Sequence, residues 1–178
     1  MKHLLIGIAV SCLVFQVGHF YEHVAQWVIW LMGWTSGICG RDTPWMSPWV
    51  TYVVESFGAW AWPALDYKVQ MARSMEVLHI VGNLIFLTGL VALMLLIPNR
   101  WVKWGLMIET FHLYEHIMLT VSVFTVGKPI GMSTLFGGAF LFDQETAVGI
   151  RVTWHALMNL IPMPFAMMGI MQWWEARR

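Results

Sequence analysis

Two short boxes carry the side chains best suited to chemistry. The first is Gln16-Val17-Gly18-His19-Phe20-Tyr21-Glu22-His23 and the second Glu109-Thr110-Phe111-His112-Leu113-Tyr114-Glu115-His116, 93 residues apart from His19 to His112. The aligned His, Tyr, Glu and His agree, and polar Gln16 stands where Glu109 does. A spacing of four puts His19 and His23 on one helix face about a turn apart, with Glu22 on its flank, and the same holds for His112, Glu115 and His116. Ionisable groups at membrane depth cost roughly 2.5–3.5 kcal/mol each, so two copies of one costly pattern suggest a polar site built from two similar halves.

Two further boxes extend the repeat. Glu76-Val77-Leu78-His79-Ile80-Val81-Gly82-Asn83 and Val152-Thr153-Trp154-His155-Ala156-Leu157-Met158-Asn159 share His-x-x-x-Asn, while Glu76 has no counterpart in the second. Imidazole with carboxylate suits iron, zinc, manganese or copper, and the lack of clustered thiolates disfavours iron–sulfur and blue-copper sites. Inward Glu-x-x-His pairs and single Glu residues are also how ferritin-like bundles hold two metal ions. The candidate ligand pool is therefore His19, His23, His79, His112, His116 and His155 with Glu22, Glu76, Glu109 and Glu115. Gln16, Asn83, Asn159, Tyr21 and Tyr114 are candidates for supporting the ligands by hydrogen bonds. The expected cofactor is a pair of divalent transition-metal ions, iron first, then copper or zinc, with haem b between facing helices as the alternative.

Plainer readings compete at several positions. Glu22 and Glu115 are either ligands or buried partners of histidines. Asn83 and Asn159 are either part of the site or glue between helices. Arg151 is read as a cation reaching for the membrane interface, and most Trp and Met residues as lipid-facing or packing side chains.

The elements that must position these residues are membrane helices. The chain has 178 residues, 58% hydrophobic and 11% charged, with zero formal net charge. Soluble domains carry about a quarter charged residues, so lipid is the expected solvent, and without a basic run nucleic acid is not an expected partner. Four segments qualify by length and apolarity, at about 4–34, 77–97, 101–126 and 148–174. The first is long enough to tilt, and Pro162 and Pro164 should bend the last. The predicted fold is all-α: a single membrane domain over 1–178, a four-helix transmembrane bundle of two tandem hairpins related as a parallel repeat.

At about 1.5 Å of rise per residue the six histidines reach similar depths and can gather in one cluster. The loop over 35–75, with Trp45, Trp49, Trp60 and Trp62 among prolines, fits a segment at the membrane interface. The apolar loop over 127–147 lies on the same side and could help cap the site. Basic residues in the short flanking segments predict that both termini are cytoplasmic. The apolar start is not read as a cleaved signal peptide, because cleavage would remove the first box. Cys12 and Cys39 form no CxxC and favour neither a disulfide nor a thiolate site.

Glu22-His23-x-x-Gln26, Glu76-x-x-His79-x-x-x-Asn83, Glu109-x-x-His112-x-x-Glu115-His116 and His155-x-x-x-Asn159-x-x-Pro162 resemble a group of bacterial multi-pass membrane proteins to which no activity is attached. The resemblance spans all four helices and implies the architecture, with a bacterial inner membrane as its setting. The boxes are more loosely similar to those of membrane di-iron hydroxylases and desaturases, which also use closely spaced His pairs that this chain lacks. The expected function is a membrane-embedded, non-haem, dinuclear metalloprotein, an oxidoreductase acting on oxygen or a lipophilic substrate. The alternatives are a haem b electron-transfer subunit, an accessory subunit of a larger membrane complex or of a homo-oligomer, and a metal or proton carrier.

Overall fold

The computed structural model describes residues 2–33, 44–136 and 143–176, and all its regular elements are helices. In chain order these are α1 (Lys2–Leu31), α2 (Pro48–Ala61), α3 (Tyr67–Leu96), α4 (Arg100–Val126), α5 (Met132–Phe136), α6 (Gln144–Leu160) and α7 (Pro162–Glu175). Trp34, Cys39, Arg41, Phe140, Leu141, Phe142, Arg177 and Arg178, on which parts of the loop and orientation readings rest, lie outside the described residues.

The long helices pack in a ring, α1 on α3, α3 on α4, α4 on α7 and α6 back on α1. α6 and α7 act as one broken rod. Pro162 and Pro164 cannot donate backbone hydrogen bonds, so the hydrogen-bond ladder is interrupted at Ile161, although the backbone there keeps helical angles (φ −64°, ψ −43°). α1 and α3 are long and apolar enough to cross a membrane, with mean hydropathies of 1.8 and 2.2. α4 carries Glu109, His112, Glu115 and His116 in its middle, all fully buried, and the α6–α7 rod is broken, so neither is one continuous apolar stretch.

Several boundaries differ from the sequence expectation, and the segment expected to be loop over 127–147 holds α5 and the first turn of α6. The second long helix begins at Tyr67 rather than near residue 77. Asp66 caps it, its carboxylate accepting the Lys68 amide at 2.9 Å, and the first turns simply happen to be polar. The segment expected to be loop over 35–75 also contains α2. Ser47 is its N-cap, accepting the Val50 amide at 3.3 Å, and Pro48 follows at the first helical position. α2 lies close against α3 at Gly58, where an added Cβ would come within 2.6 Å of Ser74 Oγ. Its outer face exposes Trp49, Tyr52 and Trp60.

At the end holding both termini the core is apolar, with Ala9, Phe86, Leu90, Val102 and Ala166 buried together. The turn between the halves is tight. Asn99 accepts the Trp101 and Val102 amides, both at 3.0 Å, and donates from Nδ2 to the Gly169 carbonyl at 3.0 Å, tying α4 to α7. At its other end α4 stops at Gly127, whose φ of 73° is the left-handed cap that favours glycine.

The repeat also shows in how each hairpin is packed. A Cβ built on Gly89 would lie 2.5 Å from the Cys12 Cβ, whereas one on Gly105 would lie 3.4 Å from the Phe165 Cβ. Offsets of 93 and 76 residues match Cys12 to Gly105 and Gly89 to Phe165. The same contact is thus built twice, with the glycine on opposite partners.

Candidate metal centre

α1, α3, α4 and α6 bring all six box histidines into one cluster. Within it, ring centroids are 4.7 Å apart for His19 and His23, 5.4 Å for His23 and His79, and 5.0 Å for His79 and His116. His112 and His116 are 4.8 Å apart, as are His116 and His155. His23, His112, His116 and His155 are buried, and His19 and His79 are half-buried.

The two HxxEH boxes produce the same local geometry. His19 Nε2 lies 3.2 Å from His23 Nε2, and His112 Nε2 lies 3.2 Å from His116 Nε2. Two imidazole nitrogens bound to one ion at about 2.0–2.1 Å and a tetrahedral angle stand about 3.3–3.4 Å apart. One nitrogen each from His112, His116 and His155 lie within 4.8 Å of one another, a buried triad able to hold a metal ion.

The outward faces of the rings meet acceptors. His79 Nδ1 is 2.7 Å from the Met75 carbonyl, His155 Nδ1 is 2.7 Å from the Arg151 carbonyl, and His23 Nδ1 is 3.1 Å from Gln26 Oε1. A carbonyl oxygen can only accept, so each of these Nδ1 atoms carries the proton and the Nε2 lone pair faces the cluster. His112 Nδ1 lies 3.5 Å from a Glu109 oxygen and His116 Nδ1 lies 3.9 Å from a Glu76 oxygen. Those two are close approaches rather than hydrogen bonds, and both ring nitrogens are otherwise unpartnered. Metal-bound histidines almost always show this pattern, with the second nitrogen on a carbonyl or carboxylate.

The four candidate carboxylates divide into two kinds. Glu76 and Glu109 are buried beside the cluster, and Glu76 also meets Arg151 at 3.4 Å. Arg151 therefore turns inward, rather than out to an interface as the sequence reading had it. Glu22 and Glu115 instead hold the starts of the short helices. Glu22 accepts the Ser47 amide at 2.7 Å, where α2 begins. Glu115 accepts the Met132 amide, the Ser133 amide at 3.0 Å and the Ser133 hydroxyl at 2.5 Å, where α5 begins. Each box thus carries its own loop anchor.

Among the supporting residues, Gln16 Nε2 donates to Asn159 Oδ1 at 2.9 Å, linking α1 to α6. Asn83 and Asn159 donate to the carbonyls of His79 and His155, at 2.8 and 2.9 Å. Tyr21 and Tyr114 point away from the cluster, 68% and 55% exposed. They stand two residues after the first His of each box, about 200° around the helix, so matching position does not mean matching access. Gln26, the His23 partner, was not among the expected site residues. Its signal was a polar side chain three residues after a box histidine in an apolar helix.

The chain is thus an all-helical protein, with helices able to cross a membrane, around a buried histidine cluster able to hold metal. It belongs to the family described as Family of unknown function (DUF6008), whose family model matches residues 1–178. No curated protein and no solved structure matches the chain.

Proposed function

We propose that this protein is a membrane-embedded non-haem metalloprotein with a dinuclear centre. The observation that carries the reading is the pair of Nε2–Nε2 contacts at 3.2 Å, meeting in one cluster of six imidazoles. His19, His23 and His79 form one set of ligands and His112, His116 and His155 the other, as the internal repeat requires. Glu76 and Glu109 lie behind the second set and offset its charge, and the Nδ1 acceptors fix ring orientation. An all-imidazole inner set with buried carboxylates suits iron first, then copper or zinc.

A redox-active pair of such ions would supply electron-transfer chemistry for an oxidoreductase acting on oxygen or a lipophilic substrate. Haem b fits less well, because a macrocycle needs a slot between two facing imidazoles. Here His23 and His116 each pack against at least three other imidazole rings. In the bilayer the ring of long helices is read as four crossings, with α6–α7 as the fourth, both termini cytoplasmic and α2 on the outer surface. Two features support this. The mid-helix carboxylates of α4 turn inward, and α1 exposes Leu4, Val10 and Val17 outward.

The test is elemental mass spectrometry on protein purified in mild detergent without a His tag. The expected result is about two equivalents of one transition metal per chain and no Soret band. His112→Ala and His116→Ala should each lose metal. A folded preparation that stays empty after reconstitution refutes the proposal.

A further inference from the structure

One wall of the cluster opens into a cleft of about 660 Å³ between α1, α2 and α3. That volume lies in the range of roughly 300–1,000 Å³ typical of small-molecule sites. Along α1 its lining runs from Gln26, His23, Glu22 and His19 at one end to Phe15 and Val14 at the other, with His79 and Ile85 facing them from α3. From Gln26 to Val14 the α1 wall covers 12 residues, or about 18 Å of helix rise. The cleft is therefore elongated and polar at one end.

The internal repeat shows what opens it. Gly18 on α1 and Gly82 on α3 both line the cleft. A Cβ added at Gly18 would meet nothing within 4 Å, and one at Gly82 would meet His19 at 3.5 Å as an ordinary contact. Neither glycine is explained by crowding or by a left-handed backbone. The same 93- and 76-residue offsets that match the histidines match Gly18 to Phe111 and Gly82 to Met158. The halves keep their imidazoles and differ where side-chain volume would fill this cleft. His19 is half-buried beside it, while its counterpart His112 is fully buried.

We infer that this cleft is the access route to the metal cluster and binds a single-chain lipophile with an uncharged, hydrogen-bond-donating head, a long-chain alcohol or phenol. The hydroxyl lies between Glu22 and His19 and the chain runs along α1 towards Val14. The seat of the head rests on the proposed metal reading, whereas the chain-binding groove does not. A carboxylate accepts and cannot donate, so Glu22 selects a donor. Among the described residues no Lys or Arg lines the cleft, so no side chain there offsets the repulsion between Glu22 and an anionic head. The ions of the proposed centre would repel an ammonium head and attract a carboxylate, so competition by hexadecanoate is the discriminating measurement for the head. With α2 at the membrane surface, the orientation matches that of a lipid, its head outward and its tail towards the bilayer centre.

The test is photolabelling of the full-length protein in nanodiscs with a diazirine-bearing hexadecanol, read by peptide mass spectrometry alongside metal content. Labelling on the α1 and α3 walls is expected, reduced at least tenfold in Gly18→Phe with metal content unchanged. Gly82→Met, which also installs the residue of the second half, should act in the same direction and covers a failure of the first variant to fold. Labelling elsewhere on the protein, undiminished labelling in both folded variants, or equal competition by hexadecanoate overturns the inference. Cleft labelling of a chain that holds no metal upholds the groove while refuting the metalloprotein reading.

Discussion

Glu115 separates two roles that a buried glutamate beside paired histidines can have. Its carboxylate is fully buried and accepts from the Met132 amide, the Ser133 amide and the Ser133 hydroxyl, all at the first turn of α5. Hydrogen bonds to a charged group are worth about 1.5–3 kcal/mol each, so the three together represent roughly 4–9 kcal/mol of local anchoring. Glu115→Gln keeps one acceptor oxygen and turns an NH₂ group towards the amides. The expected loss is about 2–4 kcal/mol, because one or two buried donors are left unpaired at about 1–3 kcal/mol each. That corresponds to a roughly 30- to 1,000-fold faster opening of the α5 amides at a tenfold per 1.4 kcal/mol. Hydrogen exchange with peptide resolution over residues 128–136 reads this directly, and metal content is measured on the same sample. The expected outcome is lost protection at Met132 and Ser133 with full metal occupancy. Unchanged protection, or loss of a metal equivalent while protection is kept, would refute the anchoring argument and make Glu115 a ligand.

Glu76→Gln should weaken metal affinity about 10- to 100-fold without changing stoichiometry, since it removes the charge facing His116 and Arg151 while leaving the imidazoles in position; competition with a chelator measures it. Gly89→Ala should destabilise by about 1–3 kcal/mol through overpacking on Cys12, and adding Cys12→Gly should restore most of the loss in a thermal melt. Asp143 caps α6, and the bonds it accepts from the Thr146 amide and then the Thr146 hydroxyl hold its carboxyl below the usual range. A depressed folded value stabilises above the unfolded value of about 3.9, and that contribution is lost as pH falls through the folded value. Protection at the α6 N-terminus, taken relative to the intrinsic exchange rate at each pH, should therefore fall on acidification below pH 4, and Asp143→Ala should remove that dependence.

The gathering of the six histidines was legible from sequence because side chains that converge from several helices recur at helical spacing, and the repeat doubled the signal. The roles of Glu22 and Glu115 were not, because their partners are amides at the starts of α2 and α5, 25 and 17 residues away. Hydropathy alone hid the start of α3. Lys68, Gln70, Arg73, Ser74 and Glu76 make its first turns look like loop, although Asp66 was a readable cap. The cap and proline at Ser47-Pro48 were equally readable, yet the surrounding Trp and Pro residues drew attention to the membrane surface instead of to a helix. Tyr21 and Tyr114 show the opposite error, in which shared position within a box outweighed the helical period that turns them outward.

The glycine that changes sides between the hairpins bears on how a chain made of two similar halves assembles correctly. Such a chain risks joining a helix from one half to the wrong partner, since both candidates offer nearly the same face. Cys12 matched with Phe165 would force two side chains into a space shaped for one, and Gly89 matched with Gly105 would leave that space empty. Each hairpin therefore recognises its own member by volume, so kinship between the halves does not become confusion during insertion.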